Sequence, residues 1–188
     1  MRLYLIRHPP PLLAQEVCYG QSDPAVGAEQ CVGIVVQLLK VLPENIKIIS
    51  SPLRRCFCLA QMLAMTLNHS EPSQDDRLME LNFGRWENTA WDDIARAEID
   101  SWAADMVAYA PGGGESVLEM AVRIAGFLTQ LQREQSGDEC ALVCHAGTIR
   151  LIMAYQQTPV PQEMAQLAVA KRHTIDYGSC TVLELARN

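Results

Sequence analysis

No stretch of the 188-residue chain is apolar for long enough to cross a bilayer. The apolar core of Met1-Arg2-Leu3-Tyr4-Leu5-Ile6-Arg7-His8 is too short for a secretion signal, so a cytoplasmic location is expected. Positive charge is in deficit: 15 basic against 22 acidic residues give a net −7. That excludes a nucleic-acid coat and a polybasic membrane anchor, and neither kind of partner is expected. A small basic pocket inside an acidic protein stays compatible with it. No C-x-x-C pair occurs and the seven cysteines are odd in number, so neither a disulfide framework nor a zinc ribbon is indicated. Repeats, low-complexity runs and linkers are also missing. What is there is an ordinary globular composition, 49% hydrophobic and 20% charged, too apolar for disorder. The length suits one domain, here residues 1–188, which can bury about 70% of its unfolded surface without a staple.

Strand and helix signals alternate. Leu3–Ile6, Ile46–Ser50, Ala141–Cys144 and Thr181–Leu185 are short apolar runs, which suit strands buried on both faces. Between them, apolar residues recur at three- and four-residue spacing. One set is Cys31, Ile34, Val35, Leu38 and Leu42, and a second runs from Leu53 through Cys56, Ala60 and Leu63 to Leu67. A third starts at Val117 and continues through Met120, Ala121, Ile124 and Leu128 to Leu131. The alternation predicts a three-layer α/β/α sandwich with a mostly parallel central sheet. Residues 87–110, with Trp91 and Trp102, read as a helical excursion able to wall a pocket.

In such sheets, sites lie past the carboxyl ends of the strands. Arg7-His8 follows the first strand, Ser51-Pro52-Leu53-Arg54-Arg55 the second, and His145-Ala146-Gly147-Thr148 the third. Two histidines and several arginines are thereby delivered to one edge. Arginine's permanent charge and planar fork match phosphate oxygens. Ser51 reads as a helix N-cap with Pro52 at the first helical position, which places Arg54 or Arg55 where anions are favoured. A neutral imidazole can attack phosphorus, and fixed cations can stabilise the transition state without a metal.

Such a nucleophile needs an acid for the leaving oxygen, one that burial or anionic neighbours keep protonated. Glu80, Glu87 and Glu115 are the candidates; Glu115 also fits the first turn of the following helix. The residues alone leave Glu80 and Glu87 even.

Five segments in order now carry a resemblance: Arg7-His8; Ser51-Pro52-Leu53-Arg54-Arg55; Leu78-Met79-Glu80 running into Phe83-Gly84-Arg85-Trp86-Glu87; Gly113-Gly114-Glu115-Ser116; and Cys144-His145-Ala146-Gly147-Thr148-Ile149-Arg150. From residue 2 to about 185 the chain resembles the histidine phosphatase, or phosphoglycerate-mutase-like, superfamily. The resemblance implies that fold, a phosphohistidine on His8, a phosphate pocket of Arg7, Arg55 and His145, and Glu80 as general acid. It selects Arg55 over Arg54, and it implies no metal and no cofactor. Cys18-Tyr19-Gly20-Gln21-Ser22-Asp23-Pro24 and Tyr177-Gly178-Ser179-Cys180-Thr181 resemble the α-ribazole phosphatase group. That implies a small phosphomonoester, the 5′-phosphate of α-ribazole or of adenosylcobalamin, as substrate in cobalamin biosynthesis.

Tyr19, Gln21, Ser22 and Glu115 join Arg7, Arg55 and His145 as candidate substrate contacts, although a turn through Gly20 and Asp23 explains the first three as well. Arg-His-Gly is the usual family pattern; here Pro9, Pro10 and Pro11 follow His8, which should stiffen the loop and remove an N–H donor. His69 and His173 read as surface or packing residues, Cys144 as packing, and Trp91 and Trp102 as packing before base stacking. A broad or sugar-phosphate phosphatase, a small mutase and an inactive phospho-ligand binder are the alternatives. A monomer and a homodimer both fit.

Overall fold

A computed structural model describes residues 1–13, 16–67, 70–134, 139–170 and 174–186. His69 and His173 lie outside the described residues. Five strands form one sheet: β1 (Arg2–Arg7), β2 (Lys47–Ser50), β3 (Ser73–Gln74), β4 (Glu139–Cys144) and β5 (Cys180–Glu184), in the order β3-β2-β4-β1-β5. β1, β2, β3 and β4 run parallel, and β5 closes the edge antiparallel to β1. The helices are α1 (Ala28–Leu38), α2 (Arg54–Thr66), α3 (Arg96–Ala104), α4 (Val117–Glu134), α5 (Ala146–Tyr155) and α6 (Pro161–Ala170).

The layering follows from the two-residue period of the strands. Leu3, Leu5, Ile49 and Leu142 point into one core with the buried faces of α4, α5 and α6. Tyr4, Ile6, Ile48, Ala141 and Val143 point into the other, with α1 and α2. Both faces are therefore covered, which is why the strands read as continuous apolar runs rather than alternating ones. The expected three-layer sandwich is what the chain forms.

Two local expectations change. Ser51 does not cap α2. That helix starts at Arg54, with Leu53 extended before it and no side-chain cap. The Ser51 hydroxyl is used elsewhere, against His145. The 87–110 excursion consists of one short turn, Trp91–Asp93, and α3. It closes over Cys18 and Trp86 as a small aromatic core.

Candidate active site

The register explains the convergence. Arg7 pairs with Cys144 in β1 and β4, and Ser50 pairs with Val143 in β2 and β4. The residues that follow (His8, His145 and Ser51) therefore emerge side by side at one sheet edge. The rings of His8 and His145 stand 5.0 Å apart. Arg55, in the first turn of α2, is fully buried behind them.

His8 has a defined tautomer. Its Nδ1 lies 2.6 Å from the Pro9 carbonyl, which can only accept, so Nδ1 carries the proton and Nε2 keeps its lone pair. Proline has no N–H, yet Pro9 still supplies the carbonyl that orients the imidazole. Burial pushes the His8 pKa down to about 3, with Arg55 and Arg7 acting in the same direction. Burial, His8 and the arginines hold His145 well below the ordinary histidine range as well. Both rings are therefore neutral at neutral pH. Ser51 Oγ lies 2.9 Å from His145 Nε2 and Cys56 Sγ 3.4 Å from it. If the hydroxyl donates, Nδ1 is left as the ring's donor.

These shifts make acid destabilising. Unfolded histidine takes a proton near 6.5, while native His8 takes one only near 3. Stability is therefore complete above 6.5 and falls as pH drops from there toward 3. Between pH 7.5 and 5 His8 accounts for about 2 kcal/mol of lost stability. Urea unfolding of the parent and of His8→Asn at both pH values measures this. Equal pH sensitivity in the two proteins would disprove it.

The arginines are held as an anion site. Arg55 Nη1 and Nη2 donate to the Ser22 and Gly20 carbonyls at 2.7 and 2.6 Å. Arg7 Nη1 donates to the Ile175 carbonyl. The Nε of each is buried with no protein partner among the described residues. Two such donors beside neutral imidazoles suit an anion with several oxygens.

The two carboxylates that the residues left even have different work. Glu87 accepts the backbone N–H groups of Gln21, Ser22 and Phe83 and the Ser22 hydroxyl, so it ties the 18–22 loop to the 80s loop. Glu80 instead sits at the amino end of α5, accepting from Gly147 N at 3.1 Å and from Leu81 N at 3.1 Å. Gly147 allows that approach, because a Cβ there would collide with Glu80 Oε1. Glu80 is only half-buried, and Gln21 Nε2 holds its carbonyl at 3.0 Å.

The other candidates are distributed around this centre. The Tyr19 ring faces the Arg55 guanidinium at 5.3 Å. Ser22 is committed to Glu87, and Asn88 donates to its hydroxyl at 3.0 Å. Glu115 pairs bidentately with Arg123, at 2.6 and 2.8 Å. Gln21, Asn82, Glu115 and Glu119, with Gly113 and Gly114, line a cleft of about 450 Å³ beside the Glu80 loop. Trp91 and Trp102 stack on each other, 6.1 Å apart and 10° from parallel, within the aromatic core. Cys144 is buried in β4, in a packing position. The exposed Arg54 gives its backbone N–H to Asp23.

Arg123 is a residue the sequence reading passed over. It donates to the carbonyls of Arg77, Met79 and Glu80 as well as to Glu115, so it fixes the backbone that presents Glu80. The available signal was an arginine two helical turns beyond an acid, on the polar side of α4. Arg123→Met leaves Glu115 without its partner in a site where the two side chains are 17–18% exposed. Stability should fall by about 3 kcal/mol, and kcat about ten-fold or more as Glu80 loses its support. Urea denaturation and steady-state kinetics check this; an unchanged kcat would show that these carbonyl contacts do not position Glu80.

Among the described residues, no helix is long and apolar enough to cross a membrane, and no group of three or more His, Cys, Asp or Glu could hold a metal ion. The seven cysteines are free.

Known proteins share this fold. A metal-independent phosphoserine phosphatase of Arabidopsis thaliana is 30% identical over 131 residues, 68% of this chain and 55% of that protein. The chain spans about half the length of the curated relatives it matches. A mycobacterial glucosyl-3-phosphoglycerate phosphatase complexed with VO3 superposes with a TM-score of 0.78 at 24% identity, over 97% of this chain and 92% of that one. The α-ribazole phosphatase of Shigella flexneri gives a TM-score of 0.83 at 20% identity, over 100% and 92%. At these identities the solved structures show a common fold. Two strand-end histidines with Arg7 and Arg55 beside them occur here on a chain whose residues 3–188 match one family model, and the chain belongs to the histidine phosphatase superfamily, branch 1.

Proposed function

We propose that the chain is a phosphomonoesterase that works through a phosphohistidine on His8. The observation that carries this is the Nε2 lone pair of His8, left by the Nδ1–Pro9 bond, beside two arginines whose buried Nε groups lack partners among the described residues. The Nε2 lone pair attacks phosphorus and forms an N–P bond as the P–O bond to the leaving group breaks. Glu80 gives its proton to the departing oxygen. Water then attacks phosphorus, Glu80 takes its proton, the N–P bond breaks and phosphate leaves. Arg7, Arg55 and the His145 ring hold the equatorial oxygens throughout, so the charge is met by groups already in place.

For the substrate, the proposal is α-ribazole 5′-phosphate, or the corresponding adenosylcobalamin phosphate. Support comes from the Cys18–Pro24 and Tyr177–Thr181 segments, from the α-ribazole phosphatase among the structural neighbours, and from the polar cleft beside Glu80. That cleft is lined by amides and carboxylates, which suit the hydroxyls of a ribosyl leaving group. A phosphatase for another small phosphomonoester is the second reading, favoured by the phosphoserine and glucosyl-3-phosphoglycerate phosphatases among the similar proteins.

Phosphate release from α-ribazole 5′-phosphate, with a chelator present and His8→Ala as control, tests both parts. Rapid release that the chelator spares and the variant lacks is the expected result. Turnover of p-nitrophenyl phosphate alone would move the assignment to another substrate. Silence on both substrates would overturn it in favour of a phospho-ligand binder.

A further inference from the structure

The anion pocket is roofed. His8 is 2% exposed, and His145 and Arg55 not at all, so the nucleophile cannot be reached in this arrangement. The roof is two tyrosines from opposite ends of the chain. The hydroxyls of Tyr19 and Tyr177 lie 2.6 Å apart. The Tyr177 ring lies 3.6 Å from the Arg7 guanidinium carbon and 5.5 Å from the His8 ring. The Tyr19 ring faces Arg55. Each ring therefore covers one of the two arginines, and the pair joins across the histidine.

The backbone on both sides is pinned. Gly20 and Ser22 give their carbonyls to Arg55, and Cys18 N donates to the Thr89 carbonyl. On the other side, Gly178 N donates to the carbonyls of Arg7 and His8. Gly178 has φ +71°, and a Cβ there would stand 2.5 Å from the Ile34 side chain, so the turn that carries Tyr177 requires glycine. What can move is the side chains, each with two torsions. Tyr177 is already 40% exposed.

We propose that Tyr19 and Tyr177 form an aromatic gate over the pocket. An entering phosphate parts their hydroxyls, and the opened rings then flank the leaving group, while the Tyr177 ring also positions Arg7 by lying on its guanidinium. The inference rests on the reading of this pocket as a phosphate site. It makes the two tyrosines specificity-determining residues, because any leaving group must pass between their rings. With the rings together, the gate also keeps bulk water from the His8 imidazole until a substrate parts them.

Vanadate, a phosphate mimic, is the probe, measured by isothermal titration and as an inhibitor of p-nitrophenyl phosphate turnover. Tyr19→Phe and Tyr177→Phe each remove the hydroxyl bond and keep both rings. Freed of the closed state, each variant should bind vanadate about five-fold more tightly, the equivalent of one neutral hydrogen bond. The double variant should gain no more than either single one, because one bond is lost in every case. Tyr177→Leu should bind about ten-fold more weakly than Tyr177→Phe, because it lacks the ring over Arg7. Phenylalanine variants that bind like the parent or more weakly, or gains that add in the double variant, overturn the gate. Equal affinity in Tyr177→Leu and Tyr177→Phe overturns the positioning of Arg7. A parent that binds no vanadate overturns the phosphate-pocket reading itself, and the gate with it.

Discussion

Replacing His8 by alanine should lower turnover of any phosphomonoester by about 10⁴-fold or more, the scale seen when a covalent nucleophile is removed. The fold should survive. His8 contributes one side-chain hydrogen bond, to a carbonyl in its own loop, and the strand register is set by backbone pairs that do not involve the ring. Removing a buried neutral imidazole leaves a small gap but no unpaired charge. The parent should also show a chemical signature that the variant lacks. Mixed with a substrate labelled at phosphorus and quenched in alkali, it should retain label on the protein, and acid should release that label as expected of an N–P bond. Label that persists in His8→Ala would place the phosphoryl group on another residue. Full turnover with no label in the parent would mean direct attack by water, with the imidazole serving as a base.

Much of this site was legible in the sequence because its parts are attached to strongly patterned elements. Arg7-His8, Ser51 and His145 follow apolar runs, so finding β1, β2 and β4 also finds the edge where they meet. β3 escaped because it is two exposed residues, Ser73 and Gln74, with no apolar run to announce it. α6 also escaped; only Met164 and Ala165 are buried along it, so its periodicity is faint. The first helical pattern ran on to Leu42, whereas α1 ends at Leu38 and Leu42 is buried in the turn beyond it. Ser51 was misread because a serine before a proline satisfies the rule for a helix start, and tertiary contact with His145 took precedence. Arg123 and Tyr177 act through contacts with carbonyls and side chains that are distant in sequence. No local pattern reports such contacts. Glu80 and Glu87 were inseparable for the same reason. Only the approach of Gly147 N to one, and of three loop N–H groups to the other, tells a carboxylate at the amino end of α5 from a loop tie.

That distinction leads to the second large effect. Glu80→Gln keeps one of the two oxygens that accept from Gly147 N and Leu81 N, and Arg123 still holds the Met79 and Glu80 carbonyls, so the loop should stay where it is. What goes is the proton. With an alkyl phosphate such as a ribose 5-phosphate ester, the leaving oxygen must be protonated as it departs, and kcat should fall about 10²- to 10⁴-fold. With p-nitrophenyl phosphate the leaving phenolate is stable without a proton, so attack by His8 should continue. The second step still needs Glu80 to take a proton from water, so phosphoenzyme should accumulate. The variant should release a burst of nitrophenol equal to the enzyme present, followed by slow turnover. Glu87→Gln should behave differently. It disturbs the ties to Gln21, Ser22 and Phe83, and through the 18–22 loop the carbonyls that hold Arg55, so both substrates should suffer alike and no burst should appear. Equal losses on both substrates in Glu80→Gln, without a burst, would reduce Glu80 to a loop tie as well. The acid would then have to be sought at Glu115, which pairs bidentately with Arg123.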